Sequence, residues 1–386
     1  RLVGSEMCIR DRWMEVKMAT ATKMAKKVTN YECYRRYDRS VARMLLLIFF
    51  GLLAVPVGAQ DVRLKAHHML PPVAPGHSMM LVPWVEKVER ESGGRLAIDI
   101  YPSLHLGGQA PALIDQAHDG IVDIVWTLPG YTPGRFPRIE VFELPFLAAH
   151  PVVMNFAIQD FIDNHPEEFE GYRLISAFVH AGQLIHSKVP VRTTAELAGL
   201  KYRIPARVAG WMVESWGATP IGTTVQKIPE MLSKGIVDAA LIPYEASFGL
   251  KVHDMVDYHI LLDSETWPRL NTQVLMVVMN AEVYEQLPAD LKVVIDANSG
   301  RNVAKWMGEV WVEMENAGER AAGASGEFIY LPPEEMELLR QRSQQQVAER
   351  WISVVADAGV DGRALLEEAT ALLEHYGQLF AAGALD

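Results

Sequence analysis

Two rhythms of apolar residues alternate along the chain. VRLKAHH (62–68), RLAIDIYP (95–102) and IVDIVWTL (121–128) read as strands. Between them, Met80, Trp84, Val85 and Val88 recur at helical spacing over 77–92, and APALIDQAHDG (110–120) reads as a second helix. The SGG at 92–94 stops the first helix and Gly120 the second. This β–α–β–α–β order predicts an α/β domain, with helices against a largely parallel sheet.

The rhythm then returns. YRLISAFVH (172–180) and GQLIHSK (182–188) read as strands, and TTAELAGL as a short helix capped by Thr194. A strand at 200–204, a helix at 207–217, a helix at 225–235 stopped by Gly235, and the strand VDAALIPY (237–244) follow. DGIVDIVWTL and KGIVDAALIPY are the same phrase: a helix end, Gly-Ile-Val-Asp, then an apolar strand. Two lobes of matched topology are therefore expected. QVLMVVMN (273–280) adds a buried strand, and residues 287–324 read as one very long helix, opened by Pro288 and closed near Gly323, a strut across both lobes. Further helices are expected at the C-terminal end. The expected division is 62–182 with about 273–300 in lobe I, and 183–272 with about 301–375 in lobe II.

Residues 1–59 break the pattern. MLLLIFFGLLAVPV (44–57) is a 14-residue apolar run behind Arg35, Arg36, Arg39 and Arg43, with Val57-Gly58-Ala59 before Gln60. A basic flank, an apolar core and a small-residue exit describe a cleaved signal peptide. The run is short for a membrane span, which needs about 20 residues. The stretch upstream of it, beginning RLVGSEMCIRDR, is expected to be artefactual and to have no structural role. Export to the periplasm is the expected location.

Setting residues 1–59 aside changes the chemistry available. The remainder holds 25 basic and 43 acidic residues, a net charge of −18 against −12 for the whole chain. Such a charge argues against nucleic acid or an anionic lipid surface as partner. Both cysteines, Cys8 and Cys33, also lie in the removed segment, so disulfides, zinc thiolates and cysteine nucleophiles are excluded from the rest. No G-x-S-x-G, H-E-x-x-H, phosphate-binding or dinucleotide glycine motif occurs, and no metal or other cofactor is expected. His67 and His68 are adjacent on a strand and point to opposite faces. One is expected to be packed and the other near a cleft, with His68 the candidate for the cleft.

In LAGLKYRIPA (197–206), Leu200, Tyr202 and Ile204 share one strand face, Lys201 and Arg203 share the other, and Pro205 ends the ladder. The alternation thus sets a cation at the very end of a core strand.

The order SGGRLAIDIYPSLHLGG, DGIVDI, FELPFL, LAGLKYRIP, GATPI and KGIVDAALIPYE resembles the solute-binding proteins of tripartite ATP-independent periplasmic (TRAP) transporters, the DctP family, from about residue 62 to about 370. The resemblance implies a two-lobed periplasmic-binding-protein-like α/β fold, a long helix spanning both lobes, a ligand trapped as they close, and membrane permease subunits as partners. It places the carboxylate-binding arginine at Arg203. Gln183 stands where some members carry a second arginine, and Ile242 where some carry asparagine, which points to a ligand with one carboxylate and a less polar body. Trp126, Tyr131, Trp211, Tyr244 and Trp267 are candidates for the apolar wall. Trp126 and Tyr244 rank first, as the ends of the two GIVD strands. His180 and Gln183 are candidates to bond a ligand hydroxyl or keto oxygen. The protein is expected not to be an enzyme. The alternatives are a secreted hydrolase or lyase using His67 or His68 as base, and an ABC-type or sensor-coupled binding protein.

Overall fold

The computed structural model describes residues 61–262 and 269–385. The expected signal segment and Trp267 lie outside the described residues.

In chain order the strands are β1 (Val62–His68), β2 (Leu96–Tyr101), β3 (Ile124–Thr127), β4 (Tyr172–Val179), β5 (Leu184–Ser187), β6 (Lys201–Ile204), β7 (Thr219–Gly222), β8 (Ala239–Ile242), β9 (Tyr258–Leu262), β10 (Val274–Asn280) and β11 (Glu327–Leu331). They form two sheets, ordered β2-β1-β3-β10-β4 and β11-β9-β5-β8-β6-β7. Each sheet has a parallel heart, β2-β1-β3 in one and β8-β6-β7 in the other. Each heart is joined by an antiparallel strand that arrives from the other half of the chain. β10 runs against β3 and β4, and β5 runs against β8 and β9. The largely parallel sheet expected from the sequence is therefore mixed, because these crossing strands enter it in the opposite sense.

The repeated GIVD phrase has one structural job in both lobes. Gly120 and Gly235 take positive φ, at 68° and 64°, and turn the chain out of a helix. Asp123 then accepts the Lys65 backbone N–H at 2.7 Å, and Asp238 accepts that of Lys201 at 2.9 Å. Each aspartate ties its own strand to its parallel neighbour just before their paired residues begin, which fixes the register.

Six helices matter for the site. They are α1 (Val82–Glu91), α2 (Pro151–Asn164), α3 (Arg207–Ser215), α4 (Tyr244–Gly249), α5 (Arg301–Ala322) and α6 (Pro333–Ala356). α1 is preceded by a π-helical turn over Gly76–Leu81. The single long helix expected over 287–324 is two helices, Ala289–Ala297 and α5. Gly300 breaks them apart, with φ +56° and its N–H donated to the Ile175 carbonyl at 2.6 Å. The short helix at 194–197 is capped by Thr193 rather than Thr194, through a capping box with Glu196.

α5, at about 1.5 Å per residue, runs about 33 Å and touches both halves. It buries Val303, Met307, Trp311, Met314 and Ala322 along one stripe. Gly308 sits on α2, where a Cβ would come within 2.7 Å of the Val152 nitrogen. Gly318 sits on α4, where a Cβ would overlap the Tyr244 carbonyl. Glycine is required at both crossings because backbone meets backbone there. Among the described residues no helix is long and apolar enough to cross a membrane.

Candidate ligand site

Besides the helical return through α5, two crossovers carry the chain between the sheets, one after β4 and one before β10. They are bonded to each other, Gln183 N–H to Asn271 carbonyl at 2.8 Å. A cavity of about 60 Å³ lies where they pass. That is several times the roughly 10–15 Å³ one water needs, so a small organic body is the appropriate scale. First-lobe residues Met69, Trp126, Leu128 and Tyr131 line it, facing Arg203, Pro205, Leu241 and Ile242 of the second. Trp311 of α5, Glu245 of α4 and the crossover residues His180, Gln183 and Gln273 also line it.

Arg203 dominates the electrostatics. It is 2% exposed, yet no carboxylate pairs with it among the described residues. Its Nε and Nη2 donate to the Thr223 carbonyl at 3.1 and 2.9 Å, and Nη1 to the Leu241 carbonyl at 3.0 Å. These bonds use three of five N–H groups and lock the plane of the guanidinium; one N–H on each terminal nitrogen stays unused by the backbone. Burial pulls its pKa down to about 10, partly offset by the Tyr131 hydroxyl beside it. The group is still a cation at neutral pH.

The polar neighbours are neutral. His180 accepts the Gly182 N–H at Nδ1, 2.9 Å away, and burial, with the Arg203 charge second, takes its pKa down to about 3. Gln183 and Gln273 each bury a side-chain oxygen that has no partner. Gln273 Nε2 already donates to the Thr272 carbonyl at 2.8 Å, and the Gln183 amide N–H has no such partner among the described residues and can serve a bound acid.

The lobes are closed over this space. Tyr131 Oη accepts the Val225 N–H at 3.2 Å, and Gln226 Nε2 donates to the Met69 carbonyl at 3.0 Å. Outside the cavity, Arg207 grips Glu140 with two bonds of 2.7 and 2.6 Å, and Trp351 of α6 donates to the same carboxylate at 3.1 Å. Arg207 is thereby committed to an ion pair with Glu140.

The structure brings Arg203, Gln183, Trp126, His180 and Tyr131 to one cavity and places the other described candidates, Tyr244, His68 and Trp211, elsewhere. Pro243 ends β8 one residue before Tyr244, which becomes the first residue of α4. Its ring turns behind the sheet against His186, His259 and Phe328. The residue that matches Trp126 in the repeated phrase is Leu241, a cavity residue. His68 is fully buried behind Trp126, 5.4 Å between ring centroids, with Nε2 2.9 Å from His77 Nδ1. His67 bonds Gln116 at 2.7 Å. Trp211 is outside the cavity, under Arg207 and Arg350. Sequence reasoning missed Trp311, Gln273 and Glu245. Only the helical register of α5 carried a signal for Trp311. Nothing in the sequence distinguished Glu245 from a solvated acid.

A family model for bacterial extracellular solute-binding proteins, family 7 (DctP), matches residues 66–353. The chain belongs to this family. Among solved structures, a TRAP solute-binding protein from Rhodoferax ferrireducens, in complex with copurified benzoate, is 37% identical. It superposes with a TM-score of 0.79, over 82% of this chain and 99% of that one. A marine-metagenome TRAP solute-binding protein described as specific for aromatic acid ligands, in complex with metahydroxyphenylacetate, is 36% identical, with the same TM-score and coverage. The outer membrane transporter protein TsaT of Comamonas testosteroni is 23% identical over 335 residues, 84% of this chain and 96% of the relative. This DctP-family protein thus has the two-lobed architecture of TRAP solute-binding proteins, with the cavity at the lobe junction.

Proposed function

We propose that this DctP-family protein is exported through a cleaved signal peptide and binds an aromatic monocarboxylate between its lobes. It then presents the closed complex to a TRAP membrane permease. The observation that carries the reading is Arg203: a buried, oriented cation without an acidic partner, set in a cavity whose other walls are mostly apolar or neutral. Leaving such a charge unpaired is costly, and a ligand carboxylate removes that cost while occupying the two free N–H groups. Trp126, Leu128, Leu241, Ile242 and Trp311 suit a flat apolar ring. Two relatives of 36–37% identity hold aromatic acids, which supports the same class here.

Binding is the function, without turnover. His68 is bonded to His77 and His67 to Gln116, and neither lines the cavity. Closure follows from differential contact. A ligand held by Arg203 on one lobe and Trp126 on the other gains both sets of contacts only when the lobes meet, as in hinged binding proteins.

Thermal melting against a panel of benzoate, hydroxybenzoates, mandelate, succinate and sugars tests this. The aromatic monocarboxylates are expected to raise the melting temperature in a concentration-dependent way. A shift from sugars or dicarboxylates alone would refute it, and so would consumption of the acid by the purified protein.

A further inference from the structure

The acidic residue in the cavity wall has no partner. Glu245 is 5% exposed and lines the same space as Arg203. Its carboxyl oxygens make no hydrogen bond among the described residues. Immediately behind it lies a second buried acid. Glu315 of α5 accepts the Glu245 backbone N–H at Oε2, 3.1 Å away, and its Oε1 is sealed without a partner. The cavity therefore has a cationic wall at Arg203 and an acid wall at Glu245, backed by Glu315.

We propose that Glu245 is a specificity-determining residue: it hydrogen-bonds a hydroxyl carried on the ligand's ring and rejects ligands with a second carboxylate. This rests on the aromatic monocarboxylate reading above and deepens it.

Two considerations select a hydroxyl over an ammonium. Burial, with the Glu315 charge second, raises the Glu245 pKa well above the usual carboxylate range. A neutral carboxylic acid both donates and accepts, which matches a phenolic hydroxyl. An ammonium would need the ionised form, and binding it would release a proton. A second carboxylate would be stripped of water at a wall that offers it no cation, which costs far more than burying a hydroxyl.

The test is calorimetric titration of the wild-type protein with benzoate, 3-hydroxybenzoate, 3-methoxybenzoate and isophthalate, then of Glu245→Leu and Glu245→Gln with the first two. The wild type is expected to bind 3-hydroxybenzoate about tenfold more tightly than benzoate or the methoxy compound, since an unmet buried polar group costs about that factor. Isophthalate is expected not to bind. In Glu245→Leu the hydroxyl preference falls to about one, while Glu245→Gln, which can still donate and accept, keeps most of it. The wild-type ratio is read first and needs no variant. A wild type that does not favour the free hydroxyl overturns the proposal, as does a preference that survives Glu245→Leu, or proton release on binding the hydroxy acid. If benzoate binds but the ratio is flat, only the role of Glu245 fails. If none of the aromatic acids binds, the underlying reading fails and this assignment falls with it.

Discussion

Replacing Arg203 separates binding from folding. In the proposed ligand-bound state its cation and the ligand carboxylate form a buried, oriented pair. Truncating one member of such a pair costs about 2–5 kcal/mol. At about 1.4 kcal/mol per tenfold, Arg203→Ala should weaken benzoate binding from about 30-fold to several-thousand-fold. Arg203→Lys keeps the charge but loses the planar fork and the paired bonds to Thr223 and Leu241, so it should fall between Ala and wild type. Stability without ligand should move differently. The wild-type arginine is buried with no acid beside it, and exchange of buried charge for apolar volume is often neutral or stabilising. Arg203→Met removes the cost of the buried charge but leaves the Thr223 and Leu241 carbonyls without their donor, so the unliganded variant should melt close to the wild type, yet show no shift with benzoate. Calorimetry and thermal melting read the two halves separately. Unchanged affinity in Arg203→Ala would refute the carboxylate assignment. A Arg203→Met protein destabilised as much as one with a broken ion pair would refute the claim that the cation is uncompensated.

Three further outcomes are expected. Arg207→Ala leaves Glu140 buried with only Trp351 as partner, and should lower unfolding stability by about 3 kcal/mol, read by urea denaturation. Gly318→Ala forces a methyl against the Tyr244 carbonyl and should cost about 1–3 kcal/mol in the same assay, with a comparable loss at Gly308→Ala. Glu315 has a pKa raised to about 7, first by burial. A raised carboxyl favours the fold at low pH and loses that contribution as pH rises from its unfolded value near 4.5 toward 7. Relative to Glu315→Gln, the wild type should lose on the order of 3 kcal/mol across that window. A difference between the two proteins that is flat with pH would contradict the burial of an acid that the Arg269 charge only partly offsets.

Much of this was legible in residue order because local rules agreed with the fold. Gly120-Ile-Val-Asp123 and Gly235-Ile-Val-Asp238 announced matched units, and both aspartates perform the same register-fixing bond. The isolated arginine before Pro205 announced the cation. What stayed hidden depends on long-range pairing. Nothing local says that β10 and β5 enter their sheets antiparallel, because that direction is set by where the crossovers return. β7, β9 and β11 are short, and their edges gain meaning only from neighbours. α2 has apolar residues on nearly every side, with Val152, Val153, Met154, Phe156, Ala157 and Ile158 all buried, so it lacks the one-faced stripe that marks a surface helix. The break at Gly300 was masked by strong helical periodicity on both sides. Tyr244 was misplaced because Pro243 ends the strand and starts a helix, which turns the next side chain out of strand alternation. Glu245 carried no sequence signal: an acid at a helix start is commonly solvated, and only the three-dimensional packing shows this one facing a cavity.

The most direct test of the account is a crystal structure of the protein with benzoate. The account predicts the ring between Trp126 and the Leu241–Ile242 edge, with both carboxylate oxygens about 2.7–2.9 Å from Arg203 nitrogens. A carboxylate turned away from Arg203, or benzoate bound outside the lobe junction, would contradict it.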